Sequence, residues 1–340
     1  MELFNRLSAR GRRLLLGVLA AAFSLITSAC NTDVGPQDYL SPLGPVARRA
    51  DELWDLTFGI AVIIFVVVEA VLVYTLIRFR RRPGREAAQF HGNTKLEVVL
   101  TLVPTLILAG LAVPTVKAIA DLSDKPANTL DITVTAKQFW WQYEYPDAGI
   151  VTANEMHVPT GQPVYLTLEG ADVIHSFWIP KLTGKQDVVP GRTNNMYFIA
   201  DTPGTYWGQC TEFCGLSHAN MRLRVIAHEP AEFEQWLADQ QQPAAANVTG
   251  AAGEGQQIFM ENCVNCHAIA GTEAKGTTGP DLTHFASRET FAGAMFRNTP
   301  ENLARWIDHP AAVKPGAQMP DYGLSAEEID AVVAYLQTLE

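Results

Sequence analysis

Two short stretches of this 340-residue chain carry side chains suited to metal or redox chemistry. The first, CTEFCGLSHANM (210–221), spaces Cys210, Cys214, His218 and Met221 at intervals of four, four and three. Thiolate, imidazole and thioether together form a soft donor set that favours copper. A single-copper electron-transfer centre needs two His, one Cys and a weak Met, so this loop has one thiolate too many and one imidazole too few. His175, in DVIHSFWIP, completes an inventory of two Cys, two His and one Met. Two thiolates can bridge a pair of coppers, leaving each metal one imidazole and a weak axial donor. Met221 can serve as one axial donor and a loop carbonyl as the other. Tetrahedral structural zinc on two Cys and two His is the competing metal. It makes no use of Met221, and the gap from His175 to Cys210 is unlike that of compact zinc modules.

The second stretch, CVNCH, is a C-x-x-C-H signature. It predicts thioether bonds from Cys263 and Cys266 to a haem c, with His267 as the proximal iron ligand. The distal ligand is expected to be a methionine well downstream, and Met319 in KPGAQMPDYG sits in the loop before the last helix. Met260 and Met295 are the other candidates. Structural zinc on Cys263, Cys266, His267 and one further donor is the bland alternative. Of five cysteines, four lie in these clusters and Cys30 ends a signal-like segment, which leaves none for a structural disulfide.

Several kinds of element must position these groups. Arg6, Arg10, Arg12 and Arg13 precede an apolar run, Leu14 to Ile26, that ends in TSAC. This is a basic n-region, a short h-region and a small-residue cleavage site, and the run is too short to span a bilayer as a helix. The sequence up to Cys30 resembles a bacterial lipoprotein signal (1–29), which would leave Cys30 lipidated; plain cleavage is the alternative. Two stretches, 54–77 and 98–116, have membrane-spanning length within an N-terminal segment of 30–120. The basic RFRRRPGRE between them places the hairpin loop in the cytoplasm and both termini outside.

From about Leu130 the texture becomes short alternating stretches punctuated by Pro and Gly, such as LDITVTAKQFWWQYEY and MRLRVIAH. That pattern predicts an antiparallel β-sandwich or barrel over 121–237. Gln-, Pro- and Ala-rich sequence follows as a flexible linker, 238–252. A small helical domain, 253–340, closes the chain, its last helix capped by Ser325 with Glu328 three residues on. The formal net charge of −11 is unevenly spread: residues 1–120 hold 13 basic against 9 acidic side chains, and 121–340 hold 12 against 27. An acidic exported portion argues against nucleic acid and suits a basic protein partner.

His175, Cys210, Glu212, Cys214, His218 and Met221 resemble, residue for residue, the dinuclear copper (CuA) motif of cytochrome c oxidase subunit II. The resemblance spans roughly residues 40–230 and implies a transmembrane hairpin carrying a cupredoxin-like β-sandwich. It implies that Glu212 ligates copper through its backbone carbonyl while its side chain reaches a magnesium shared with subunit I. It also places Glu97, in KLEVVLTLVP, at the mouth of a proton channel, against the reading of an ordinary helix-end carboxylate. CVNCH, GPDLTH and the capped last helix resemble small all-α class I cytochromes c. A subunit II fused to a cytochrome c resembles the caa-type haem–copper oxidases of bacteria.

That resemblance implies a multidomain electron carrier in the bacterial inner membrane, its copper and haem domains on the outer, periplasmic face. Its partners would be subunit I, which reduces oxygen, subunit III, and an upstream cytochrome or quinol–cytochrome c reductase complex. The electron-accepting subunit of a nitric-oxide- or nitrous-oxide-reducing complex is the alternative. One departure stands out. Where the family usually has a Trp that accepts electrons from a soluble cytochrome, this chain has Phe139, which puts external donation at that point in doubt. The linker would instead hold the cytochrome domain at high effective concentration.

Overall fold

The computed structural model describes Gly17, Ala20, Ser24 and residues 35–81, 83–84, 89, 91–243 and 248–340. Cys30 and most of the signal-like segment lie outside the described residues. Helices α1 (Pro45–Arg78) and α2 (Thr94–Ser123) are both long and apolar enough to cross a membrane. They extend beyond the apolar stretches at both ends because polar turns continue the same helical hydrogen bonding. Side chains such as Ile63 and Leu106 project outward from α1 and α2, as an apolar solvent requires. The start of α1 is anchored on the β-domain: Val46 and Ala47 are buried, and Arg48 pairs with Asp201. Arg49 reaches across to Asp121 near the end of α2, at 3.6 Å.

Ten strands follow: β1 (Leu130–Lys137), β2 (Trp140–Tyr145), β3 (Ile150–Ala153), β4 (Glu155–Pro159), β5 (Val164–Gly170), β6 (His175–Trp178), β7 (Lys185–Val188), β8 (Asn194–Phe198), β9 (Gly204–Cys210) and β10 (Arg222–His228). They form two five-stranded sheets, ordered β3-β2-β1-β5-β8 and β4-β10-β9-β6-β7. Period-two alternation explains the burial: Ile132, Val134 and Ala136 of β1 and Val164, Leu166 and Leu168 of β5 all turn into one core, with polar neighbours between them. Trp141, Tyr143 and Tyr145 of β2 fill the same core, so the aromatic run is in part simple packing.

The sheets are mixed, which corrects the expectation of a purely antiparallel sandwich. β1 pairs parallel with β5, and β4 with β10. The chain leaves the first sheet after β3, adds β4 to the second, and returns as β5 running in the direction of β1. Alternation reports which face of a strand is buried but carries no information on the direction of its neighbour.

A helix not foreseen in the sequence, α3 (Pro230–Gln240), follows β10 and packs Phe233 and Trp236 against the β-domain. It runs on into the stretch read as linker, while α4 (Ala251–Asn262) begins just before the boundary read for the last domain. That domain adds α5 (Pro300–Asp308) and α6 (Ala326–Leu336) around a core that includes Phe259, Phe285, Leu303 and Tyr335. Both halves of the capping box form at the start of α6: the Ser325 hydroxyl accepts from Glu328 N–H, and the Glu328 carboxylate accepts from Ser325 N–H.

Candidate functional site

Adjacent strands bring the first donor cluster together. β9 ends on Cys210, the loop 211–221 returns through a 3₁₀ turn at His218, and Cys210 N–H donates to Met221 O at 2.9 Å, closing the base of the loop. β6 pairs with β9 so that Phe177 lies opposite Cys210, which carries His175 beside the loop. The Cys210 and Cys214 sulfurs are 3.8 Å apart. His175 Nδ1 lies 3.8 Å from the Cys210 sulfur, and His218 Nδ1 lies 3.7 Å from that of Cys214. Met221 Sδ is 3.9 Å from the Cys214 sulfur and the Glu212 carbonyl oxygen 3.3 Å from that of Cys210.

Two sulfurs thus sit at the centre, with an imidazole and a weak donor beside each. This inventory suits a two-copper site. A single tetrahedral zinc would leave Met221 and the Glu212 carbonyl without a role. The hydrogen bond between the thiols pulls Cys210 far below the ordinary thiol value, and the same bond pushes Cys214 up. A bound cation would replace that shared proton.

The cluster has an outer shell that the sequence reading did not pick out. His175 Nε2 is 2.8 Å from Asp172 Oδ1, which leaves Nδ1 facing the sulfurs. Such a carboxylate fixes the tautomer and the ring orientation of a ligating imidazole. Burial alone would lower the His175 pKa, but hydrogen bonds to Cys210 and Asp172 outweigh it and raise it. Burial alone would raise Asp172, yet hydrogen bonds from His175 and from the Gln138 and Val173 N–H groups hold it below the usual range. The only hint in the sequence was an Asp three residues before His175.

The second cluster lies at the end of α4. Cys263 N–H continues the helix to Phe259 O at 2.8 Å, and Cys266 and His267 both donate to Cys263 O. One turn therefore presents both thiols and the imidazole to a common cavity, which Met319 also lines. Apolar groups such as Phe259, Leu282 and Phe285 form much of the remaining wall. His267 Nδ1 donates to Pro280 O at 2.8 Å, which leaves Nε2 as the lone-pair donor. Burial lowers the His267 pKa and favours the neutral ring that a metal requires. Gly279 lies flat against that ring; a Cβ there would fall 2.7 Å from His267 Cε1. An apolar cavity with two thiols, a neutral imidazole and a thioether on its wall fits haem c. Met260 packs in the domain core.

The same cavity is walled on one side by Gln138, Phe139 and Trp140 of the β-domain. Glu97 lies in the first turn of α2, where its carboxylate accepts from Asn93 N–H at 3.2 Å and so caps the helix. The Glu212 side chain is exposed at the outer edge of the donor loop.

Comparison with known proteins gives a consistent result over most of the chain. Residues 32–118 match the transmembrane domain of cytochrome c oxidase subunit II, 149–228 its periplasmic domain, and 252–340 cytochrome c. The chain is 39% identical over 312 residues to cytochrome c oxidase subunit 2 of Alkalihalophilus pseudofirmus, covering 88% of this chain and 90% of that one. It is 34% identical over 356 residues to the same-named protein of Bacillus subtilis, covering 96% and 98%. Among solved structures, the periplasmic domain of subunit II of cytochrome oxidase of Bradyrhizobium japonicum is similar at 34% identity, with a TM-score of 0.34, covering 35% of this chain and 97% of that one.

Proposed function

The chain belongs to the cytochrome c oxidase subunit II family and ends in a cytochrome c domain, and from that premise we propose that it is the electron-accepting subunit of a terminal oxidase of the caa type. Cys263, Cys266, His267 and Met319 would hold a haem c, which would accept the incoming electrons. His175, Cys210, Cys214, His218, Met221 and the Glu212 carbonyl would hold a pair of coppers, which would relay those electrons to subunit I, where oxygen is reduced. Bound copper and haem supply reversible one-electron storage. The polypeptide supplies soft donors on a β-scaffold, a fixed His175 ring and a largely apolar haem cavity. These features keep the sites from reorganising as their charge changes.

The remaining assignments follow the same reading. The copper and haem domains lie on the periplasmic face, with the loop between α1 and α2 in the cytoplasm. Glu97 stands at the mouth of a proton channel shared with subunit I, where its carboxylate accepts from Asn93 N–H. The Glu212 carboxylate contributes to a magnesium site at the same subunit boundary, and Cys30 carries a lipid. Subunits I and III are the membrane partners, and a cytochrome or quinol–cytochrome c reductase complex is the donor.

One observation carries this reading: four further donors, two imidazoles, a thioether and a carbonyl, converge on two sulfurs 3.8 Å apart, beside a thiol-bearing cavity in the same folded unit. Visible and near-infrared spectra of the purified oxidase complex, with copper and iron counted per chain, test it. The expected result is two coppers with a thiolate-bridged near-infrared band and one c-type haem. A complex holding only zinc, or one whose copper and haem c do not exchange electrons, overturns it.

A further inference from the structure

A flexible linker would leave the cytochrome domain loosely tethered, and Phe139 departs from the Trp expected where an external donor docks. The packing around Phe139 points elsewhere. Its ring is clamped between two glycines from different domains. A Cβ on Gly215, in the donor loop, would lie 3.1 Å from Phe139 Cζ, and one on Gly316, in the loop leading to Met319, would lie 3.1 Å from Phe139 Cε2. Both glycines have left-handed φ, +127° and +81°, so neither position suits a larger residue. Phe139 is only 6% exposed, and its ring already fills the space between the two glycines.

Polar groups seal the same line. The Lys314 ammonium, itself 3% exposed, donates to Phe139 O at 2.6 Å and to Ala292 O at 2.8 Å. Ser217 Oγ donates to Pro315 O, and Arg222 N–H donates to Gly293 O. Gln138 Nε2 donates to Cys214 O at 2.6 Å, while the same residue lines the cavity that holds His267 and Met319. The two Lys314 Nζ hydrogen bonds to carbonyls and the two-glycine clamp fix one relative placement. A loosely tethered carrier would instead meet its partner through a wet, exchangeable surface.

We propose that the cytochrome domain is a fixed extension of the copper domain, and that Phe139, with Gln138, is the positioning residue of a permanent seam between the haem cavity and the copper loop. This rests on the electron-transfer reading above and adds that no docking step precedes transfer. One electron leaves the haem site and one is gained at the copper site, with no bond made or broken. A soluble donor has no access to the copper loop through Phe139, because that face lies beneath the cytochrome domain. External electrons must therefore arrive at the haem domain.

The test uses the intact oxidase complex. Hydrogen exchange reports closure of the seam at residues 138–141 and 214–217, and flash-induced transfer from haem c to copper reports its function. In the native complex these amides should be protected and the transfer rate independent of added viscogen. Phe139→Trp should open the seam, lowering protection and slowing transfer on the order of tenfold or more, the scale that an ångström-level misplacement carries. Phe139→Leu, which fits the gap, should keep the protection. If Phe139→Trp fails to assemble, Gly316→Ala probes the other side of the clamp with the same two readouts. A native rate that falls with viscosity overturns the proposal, as does an opening variant that changes neither protection nor rate. Failure of the underlying electron-transfer reading looks different: the amides would be protected, but no electron would pass between haem and copper in the native complex.

Discussion

Lys314 offers a quantitative test of how dry the seam is. Burial pushes its pKa from the ordinary 10.5 down to about 7, and nearby Cys214 offsets only a small part of this. Between those two values the unfolded chain binds a proton that the folded chain does not, so stability should rise with pH. Each pH unit is worth about 1.4 kcal/mol, and the whole gap about 5 kcal/mol as an upper bound. From pH 7.5 to 9.5 the gain is about 2.7 kcal/mol, or roughly 5–10 °C in melting temperature for a folded unit of about 200 residues. Lys314→Met removes the titrating group while keeping an apolar stem of similar length. Thermal unfolding of the full chain in detergent, followed by circular dichroism across this range, should show the native curve climbing relative to that of the variant. Subtracting the two curves cancels His157, His228 and the other groups that titrate in both. Parallel curves, or a native protein that loses ground as pH rises, would show that the ammonium is hydrated and would refute the reasoning.

Other perturbations probe separate parts of the site. Met221→Leu should retain copper and shift its reduction potential, because a weak axial donor tunes the metal more than it holds it; a complete loss of copper, measured by metal analysis, would contradict the assignment. Asp172→Ala releases His175 Nε2 and should weaken copper binding about 10–100-fold in chelator competition, whereas unchanged affinity would deny the carboxylate its orienting role. Glu155 is 1% exposed and accepts from Arg224, from Glu289 N–H and from the Thr290 hydroxyl. Glu155→Ala should therefore weaken attachment of the cytochrome domain by about 3 kcal/mol, the low end for a broken buried pair because Arg224 keeps Glu289. Unchanged hydrogen exchange at residues 289–293 would count against it.

Much of the chemistry was legible in linear order because it depends on local spacing. The CVNCH turn, the four donors within 210–221 and the capping box at Ser325 each form over a few residues, so residue type and interval suffice. The two apolar stretches are equally readable, since bilayer thickness sets a length that composition must meet. Strand alternation likewise marked out the inward faces of β1 and β5.

What the tertiary structure alone decided are the contacts between residues distant in the chain. Nothing in the sequence near Lys314 foretells an ammonium buried against a carbonyl 175 positions away. The parallel pairings β1–β5 and β4–β10 depend on how the chain crosses between sheets, and helix α3 owes its place to Phe233 and Trp236 packing on the β-domain. Phe139 shows the difference most clearly. As a letter it is a departure from an expected Trp; in the fold it fills a gap set by Gly215 and Gly316, whose close approach depends on two domains meeting. Local spacing determined which donors the chain offers, and desolvated long-range packing determined how the two sites are held together.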